Sequence, residues 1–207
     1  MGTSRCVDLY LVRHGLTDWN KERRYLGHTD RDVLVEELGQ FNRLKKELSK
    51  LSFNAIYSSD LIRCRSTLDY LKLANVLWVD TRLREMNFGE WEGRTYEDLK
   101  GKPAYREWID DWEQGRTPSG ESGRDFTRRV NSFVGELLES GVTGNILVVT
   151  HGGVIRYILT KFRAVDSFWE SPAVGHGQGL KMRLIEKEGE WTCNSLSVVP
   201  SVAKETL

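Results

Sequence analysis

The sequence has 207 residues, 39% hydrophobic and 29% charged, a balance that supplies one well-buried core and excludes disordered, collagen-like and membrane-spanning classes. Thirty Lys and Arg cancel thirty Asp and Glu, so no global field draws the chain to nucleic acid or an anionic membrane, and any anion site must be local. Three scattered cysteines, Cys6, Cys64 and Cys193, suit neither a disulfide framework nor a zinc site and are expected to be reduced and mostly buried.

The opening "MGTSRCVDLYLV" lacks the basic, apolar and small-residue regions of a secretory leader. Gly2 begins a myristoylation-like start, but Cys6 stands where Ser or Thr is required. The expected location is the cytoplasm, and one domain over residues 1–207 is expected.

Residues 9–12 read as a buried strand, and "EELGQFNRLKKELSKL" repeats Phe41, Leu44, Leu48 and Leu51 at helical spacing. "NAIYSS" predicts a short strand, "DLIRCRSTLDYLKL" a helix, and "NVLWV" a third strand. Over residues 86–123 glycine, tryptophan and charge dominate, which predicts a lid-like insertion. Within it a helix "AYREWIDDWEQG" places Tyr105, Trp108 and Trp112 on one face. Ser122, followed three residues later by Asp125, is a capping-box-like start to a long helix. "NILVVT" is the most apolar strand, "HGGVIRYILTKF" a glycine turn into a helix, and "LKMRLIE" and "WTCNSLSVV" are two strands around "KEGE". Strands alternating with helices predict an α/β fold: a three-layer α/β/α sandwich with a mostly parallel central sheet.

Two apolar strands end in the same way, "LYLVRHG" and "LVVTHGG". Ligands of an open parallel sheet bind beyond the carboxyl ends of its strands, so both histidines belong to one rim. A single such histidine reads first as a hydrogen-bonded turn residue; two together reverse that reading and point to a site. Arg63 follows "YSSDLI" in the first turns of a helix, where it either lies on solvent or points to that rim. Glu85 in "RLREMNFGEWEG" is either a salt-bridge partner or a proton donor. Arg13, Arg63 and His151 as cationic donors, His14 as nitrogen nucleophile and Glu85 as acid suit a phosphoryl group, whose oxygens match the guanidinium fork.

"LVRHGLTDWN", "SSDLIRCRST", "LREMNFGEWEG", "PSGES" and "VVTHGGVIR", in this order over residues 9–156, resemble the histidine phosphatase superfamily, also called phosphoglycerate mutase-like. The resemblance implies that His14 attacks phosphorus and becomes phosphohistidine while Arg13, Arg63 and His151 hold the oxygens. It further implies that Glu85 protonates the leaving alkoxide and then takes a proton from water. For this His14 must be neutral, its other nitrogen donating to a carbonyl near Gly15, whereas His151 is expected to be cationic, and Glu85 protonated, once phosphate is bound. The resemblance calls for neither metal nor cofactor, because the arginines supply the charge.

Asn20 matches a phosphate-pocket amide, with a loop cap as the other reading. Thr17, Gly27, Gly152, Arg24 and His28 are further substrate-side candidates. Trp91 and Tyr96, beside the glycine turns, are the aromatic residues singled out as contacts; Tyr105, Trp108 and Trp112, at helical spacing, read as packing. His176 in "GHGQG" reads as a loop histidine. Leu16 and Leu26 stand where the family usually has Glu or Gln and Gln, and "TDRDVLVEELGQ" lacks the usual proline.

Thr17 in place of Ser and a compact insertion favour hydrolysis over mutase chemistry. "NKERRYLGHTD", "LREMNFGEWEG" and Phe168–Trp169 resemble the α-ribazole phosphatase branch, of cobalamin biosynthesis, and broad-specificity phosphatases share much of that pattern. The expected partner is a small phosphorylated metabolite, with no nucleic acid and no membrane, in a monomer or homodimer. Cys-x5-Arg chemistry is excluded, since Val12, Tyr70 and Val199 stand at that distance, and no lysine precedes Ser or Thr as a P-loop requires. A silent phosphate-binding module is the non-enzyme alternative.

Overall fold

The computed structural model describes residues 5–73 and 77–201. In chain order come β1 (Cys6–Arg13), α1 (Asp18–Lys21), α2 (Asn42–Leu48), β2 (Ala55–Ser58), α3 (Ile62–Leu71) and β3 (Leu77–Val79). There follow α4 (Tyr96–Leu99), α5 (Pro103–Asp110), α6 (Gly123–Glu139), β4 (Gly144–Thr150), α7 (Gly152–Lys161), β5 (Gly179–Lys187) and β6 (Glu190–Val199). Residues 1–4, with the Gly2 start, and Asn75 and Val76 of the third predicted strand lie outside the described residues.

The sheet order is β3-β2-β4-β1-β5-β6; β1 to β4 run parallel to one another, and β5 and β6 are added antiparallel. Strand alternation divides the core. Val7, Leu9 and Leu11 of β1 with Ile146 and Val148 of β4 join a cluster that includes Phe126, Phe133, Ile155 and Ile158 of α6 and α7. Tyr10 and Val12 with Leu147 and Val149 face the other way, onto Leu44, Leu48, Cys64 and Leu68 of α2 and α3. Helices therefore cover both faces, giving the expected three layers and a near-continuous apolar β4. Glu188 and Gly189, both with positive φ, form the two-residue turn that closes β5 onto β6.

Three expectations are corrected. The helix over residues 36–51 is a 3-10 segment Val35–Phe41 followed by α2, with Gly39 in its first part, where the missing side chain weakens α-helix. The helix over 104–115 ends at Asp110, because Asp111 leaves helical geometry and Trp112 turns to accept from Gly123 N at 3.1 Å. Of the cysteines only Cys64 is buried; Cys6 opens β1 exposed and Cys193, on the edge strand, is half-buried. Ser122 caps α6 as expected, its Oγ accepting from Asp125 N at 3.1 Å. The segment over 86–123 packs Met86, Trp91, Leu99, Tyr105 and Trp108 into the larger core cluster. Among the described residues no helix is long and apolar enough to cross a membrane.

Candidate active site

Register builds the site. Arg13 of β1 pairs with Thr150 of β4, so His14 and His151 occupy equivalent positions one residue beyond two adjacent strands. His14 N donates to Thr150 O at 3.0 Å, and Ser59, just past β2, donates its N–H to Val149 O at the same distance. Three strand ends thereby deliver their next residues to one rim, where the two imidazole centroids are 5.1 Å apart.

His14 is 4% exposed, and its Nδ1 lies 2.7 Å from Gly15 O. A carbonyl only accepts, so Nδ1 carries the proton and Nε2 keeps its lone pair. Burial first, then the Arg63 and Arg13 charges, push His14 well below the ordinary imidazole range. His151, completely buried, accepts from Arg63 Nε at 3.3 Å through Nδ1 and donates from Nε2 to Ser59 Oγ at 3.0 Å. Burial, Arg63 and His14 push it well below its usual value too, so the site holds two neutral imidazoles.

Arg63 is 0% exposed and donates from Nη1 to Thr29 O at 3.0 Å and from Nη2 to Gly27 O at 2.6 Å. Gly27 has no room for a side chain: a Cβ there would meet Met86 O at 2.3 Å. Arg13 donates from Nη1 to Val174 O at 3.1 Å, while its buried Nε has no partner. Among the described residues neither guanidinium pairs with a carboxylate. Two desolvated cations with Glu85 nearby but no direct carboxylate pair make a cavity that favours an anion.

Glu85 lies across Gly152 from Arg13. Its Oε2 accepts from Gly153 N at 2.9 Å and its Oε1 from Met86 N at 3.0 Å, at the amino end of α7. Its backbone is fixed by Arg129, which donates to the carbonyls of Arg82, Arg84 and Glu85 and pairs with Glu121 at 2.7 Å. Neither Arg129 nor Glu121 stood out in the sequence as part of the site, although Glu121 lies in "PSGES".

The remaining candidates divide. Thr17 and Asn20 form a capping box on α1, Thr17 Oγ1 accepting from Asn20 N at 3.2 Å and Asn20 Oδ1 from Thr17 N at 3.3 Å, so the cap reading of Asn20 holds for its oxygen. Gly152 stands between Arg13 and Glu85, a Cβ there lying 3.8 Å from Arg13 Nε and 4.0 Å from Glu85 Oε2. His28 N donates to Glu92 Oε1 at 2.7 Å, while its buried Nε2 is unpartnered. Arg24 is turned away to Glu22 and Gly93 O. Leu26 is buried and Leu16 half-buried.

A cleft of about 530 Å³ opens beside Arg13 and Glu85, walled by Phe88, Trp108, Trp112, Phe168 and Trp169. Trp112 and Phe168 stack at 4.4 Å. Trp91 is not on this wall: it is 4% exposed in the core, edge-on to Trp108 at 5.5 Å, and Tyr96, 54% exposed, leans on Tyr105 instead. Trp112, read as packing, reaches the wall because α5 stops before it, and Trp108, also read as packing, lines the cleft from within α5 while buried in the core. Arg156, one turn into α7, also lines the cleft, and His176 stands 5.8 Å from His14 between ring centroids; both were missed as site residues.

Comparison with known proteins agrees with this architecture. The adenosylcobalamin/alpha-ribazole phosphatase of Escherichia coli (strain K12) is 33% identical over 157 residues, 74% of this chain and 77% of that protein. A protein of Escherichia fergusonii named "Probable phosphoglycerate mutase GpmB" is 34% identical over 151 residues, 70% of each chain. The crystal structure of the alpha-ribazole phosphatase from Shigella flexneri superposes with a TM-score of 0.80 at 28% identity, covering 92% of this chain and 96% of that one. A family model matches residues 9–197, and the chain belongs to the family it describes, the histidine phosphatase superfamily (branch 1), as a phosphatase enzyme.

Proposed function

We propose that the protein hydrolyses phosphate monoesters of small metabolites through a phosphohistidine on His14, without a metal, and that the preferred leaving group carries a planar ring system. One observation carries this reading: the Nδ1–H of His14 is tied to Gly15 O, which leaves Nε2 unprotonated beside the buried Arg63 and half-buried Arg13 guanidiniums, neither of which forms a direct ion pair with a carboxylate.

In the first half-reaction His14 Nε2 forms a bond to phosphorus as the ester P–O bond breaks, and Glu85 gives its proton to the departing alkoxide. Arg13 and Arg63 hold the equatorial oxygens, and the incoming dianion favours a proton on His151. In the second, water attacks phosphorus, Glu85 takes its proton, the P–N bond breaks and inorganic phosphate leaves.

The leaving group would lie in the aromatic cleft, where the Trp112–Phe168 stack and Trp169 suit a flat heteroaromatic ring. Relatives named as alpha-ribazole phosphatases support α-ribazole 5'-phosphate as that substrate. Purified protein tested against p-nitrophenyl phosphate, α-ribazole 5'-phosphate and 3-phosphoglycerate, each with and without EDTA, is expected to release phosphate fastest from the ribazole ester, equally in both conditions. Equal rates on all three would leave a broad-specificity phosphatase, and conversion of 3-phosphoglycerate to its isomer would replace hydrolysis with mutase chemistry.

A further inference from the structure

His176, from "GHGQG", is the third imidazole of the site and takes no part in the reaction described above. Its Nδ1 lies 2.8 Å from His14 O. Since a carbonyl oxygen only accepts, Nδ1 carries the proton and donates to it. The loop that delivers it is pressed close: Gly177 has φ +77, and a Cβ there would meet Gln40 O at 2.5 Å. Two residues before His176, Val174 O accepts from Arg13. One short segment therefore touches both His14 and an adjacent guanidinium.

The other end of the same peptide unit is also held. Gly15 N donates to Thr67 Oγ1 at 2.8 Å, and Thr67 Oγ1 donates to Arg63 O at 2.6 Å. The His14–Gly15 peptide is thus gripped at its carbonyl from residues 174–177 and at its N–H from α3. Its orientation matters because the next carbonyl, Gly15 O, receives the His14 Nδ1–H at 2.7 Å, and Gly15 has no side chain to limit rotation.

We propose that His176 is a positioning residue for the nucleophile: by holding the His14 carbonyl it fixes the peptide that in turn keeps His14 in the tautomer with a free Nε2. This rests on the phosphohistidine reading. Burial and the Arg13 charge hold the His176 imidazole down to about 4, so near neutrality it donates without adding a third positive charge beside His14.

Two substitutions separate the hydrogen bond from the packing. His176→Asn places an amide N–H near the position of Nδ1, and His176→Phe keeps a ring without a donor. With p-nitrophenyl phosphate, His176→Phe is expected to lower kcat about tenfold or more with KM within about threefold, and His176→Asn to recover most of it. ¹⁵N NMR of the imidazoles should show His14 as the Nδ1–H tautomer in the parent and in His176→Asn, and as a tautomer mixture in His176→Phe. Equal defects in both variants, or an unchanged His14 tautomer in His176→Phe, overturn the assignment. If His176→Phe does not fold, the parent spectrum still decides, since an Nε2–H tautomer of His176 contradicts it. His14→Ala is the control: if it stays active, the phosphohistidine reading itself fails, whereas an inactive His14→Ala with a fully active His176→Phe removes only the role of His176.

Discussion

His14 and His151 follow register-paired residues of adjacent parallel strands, and both rings are buried, with centroids 5.1 Å apart. Their equivalence is positional only. One has a lone pair open at Nε2, while the other has both nitrogens engaged by Arg63 and Ser59. The expected consequence is a large asymmetry on substitution. His14→Ala should lower kcat by about 10³-fold or more and abolish the acid-labile phosphoprotein seen after quenching, while His151→Ala should still label, more slowly. Labelling of His14→Ala at the parent level would reassign the nucleophile.

Gly152 and Gly153 offer a sharper contrast. A Cβ on Gly153 would lie 2.2 Å from Glu85 Oε1, whereas one on Gly152 meets nothing nearer than 3.8 Å. Alanine at 153 must displace the carboxyl from the amino end of α7, so kcat should fall about 10²-fold with little change in melting temperature. Alanine at 152 should cost no more than a few-fold. Similar kinetics for the two would show that the placement of Glu85 is irrelevant to turnover.

The cleft wall gives a substrate-dependent outcome. Trp112→Ala removes a ring stacked on Phe168 and lining the cleft, worth about 1–2 kcal/mol to a stacked ligand, or roughly tenfold in KM for an aromatic ester. An aliphatic phosphate monoester should be turned over unchanged. Trp91→Phe, in the core behind the wall, should affect melting temperature and leave the ratio of the two substrates alone.

The histidines also set an acid limit to stability. All four, His14, His28, His151 and His176, are pushed below their ordinary value of 6.5, first of all by burial. Below pH 6.5 the unfolded chain takes up protons that the folded one refuses, so stability falls as pH drops from 6.5 toward the folded values. Each fully withheld proton contributes about 1.4 kcal/mol per pH unit, and half-buried His28 less. Asp8, Asp60 and Glu121 are held below 3.8, 3.8 and 4.5 by arginines, so their losses come at lower pH. Urea midpoints between pH 7 and 5 therefore isolate the imidazoles, and a flat profile there would show that they ionise freely in the native state.

The strands, their covering helices and the five central residues were legible because each rests on short-range pattern: unbroken apolar runs in "LYLV" and "ILVV", helical spacing in α3 and α6, and a polar residue ending an apolar run at Arg13. Distance in sequence hides the rest. His176 meets His14 across 162 positions, and no local signal marks a loop histidine that will bond a distant carbonyl. Arg129 is one of several arginines on α6 until the carbonyls of Arg82, Arg84 and Glu85 come to it. Trp112 lines the cleft because α5 stops two residues before it, where Asp111 leaves helical geometry and Trp112 O accepts from Gly123 N, while Trp91 is buried against Tyr105 and Trp108.

Arg13 and Arg63, charged, desolvated and in no direct ion pair with a carboxylate, also bear on how the molecule behaves at rest. Crowding like charges in a desolvated chamber weakens the fold, so readiness for turnover is obtained at the expense of thermal resistance. Orthophosphate or vanadate, by filling that chamber, should raise the melting temperature in proportion to the logarithm of its concentration, and the same affinity makes the enzyme prone to inhibition by its own product.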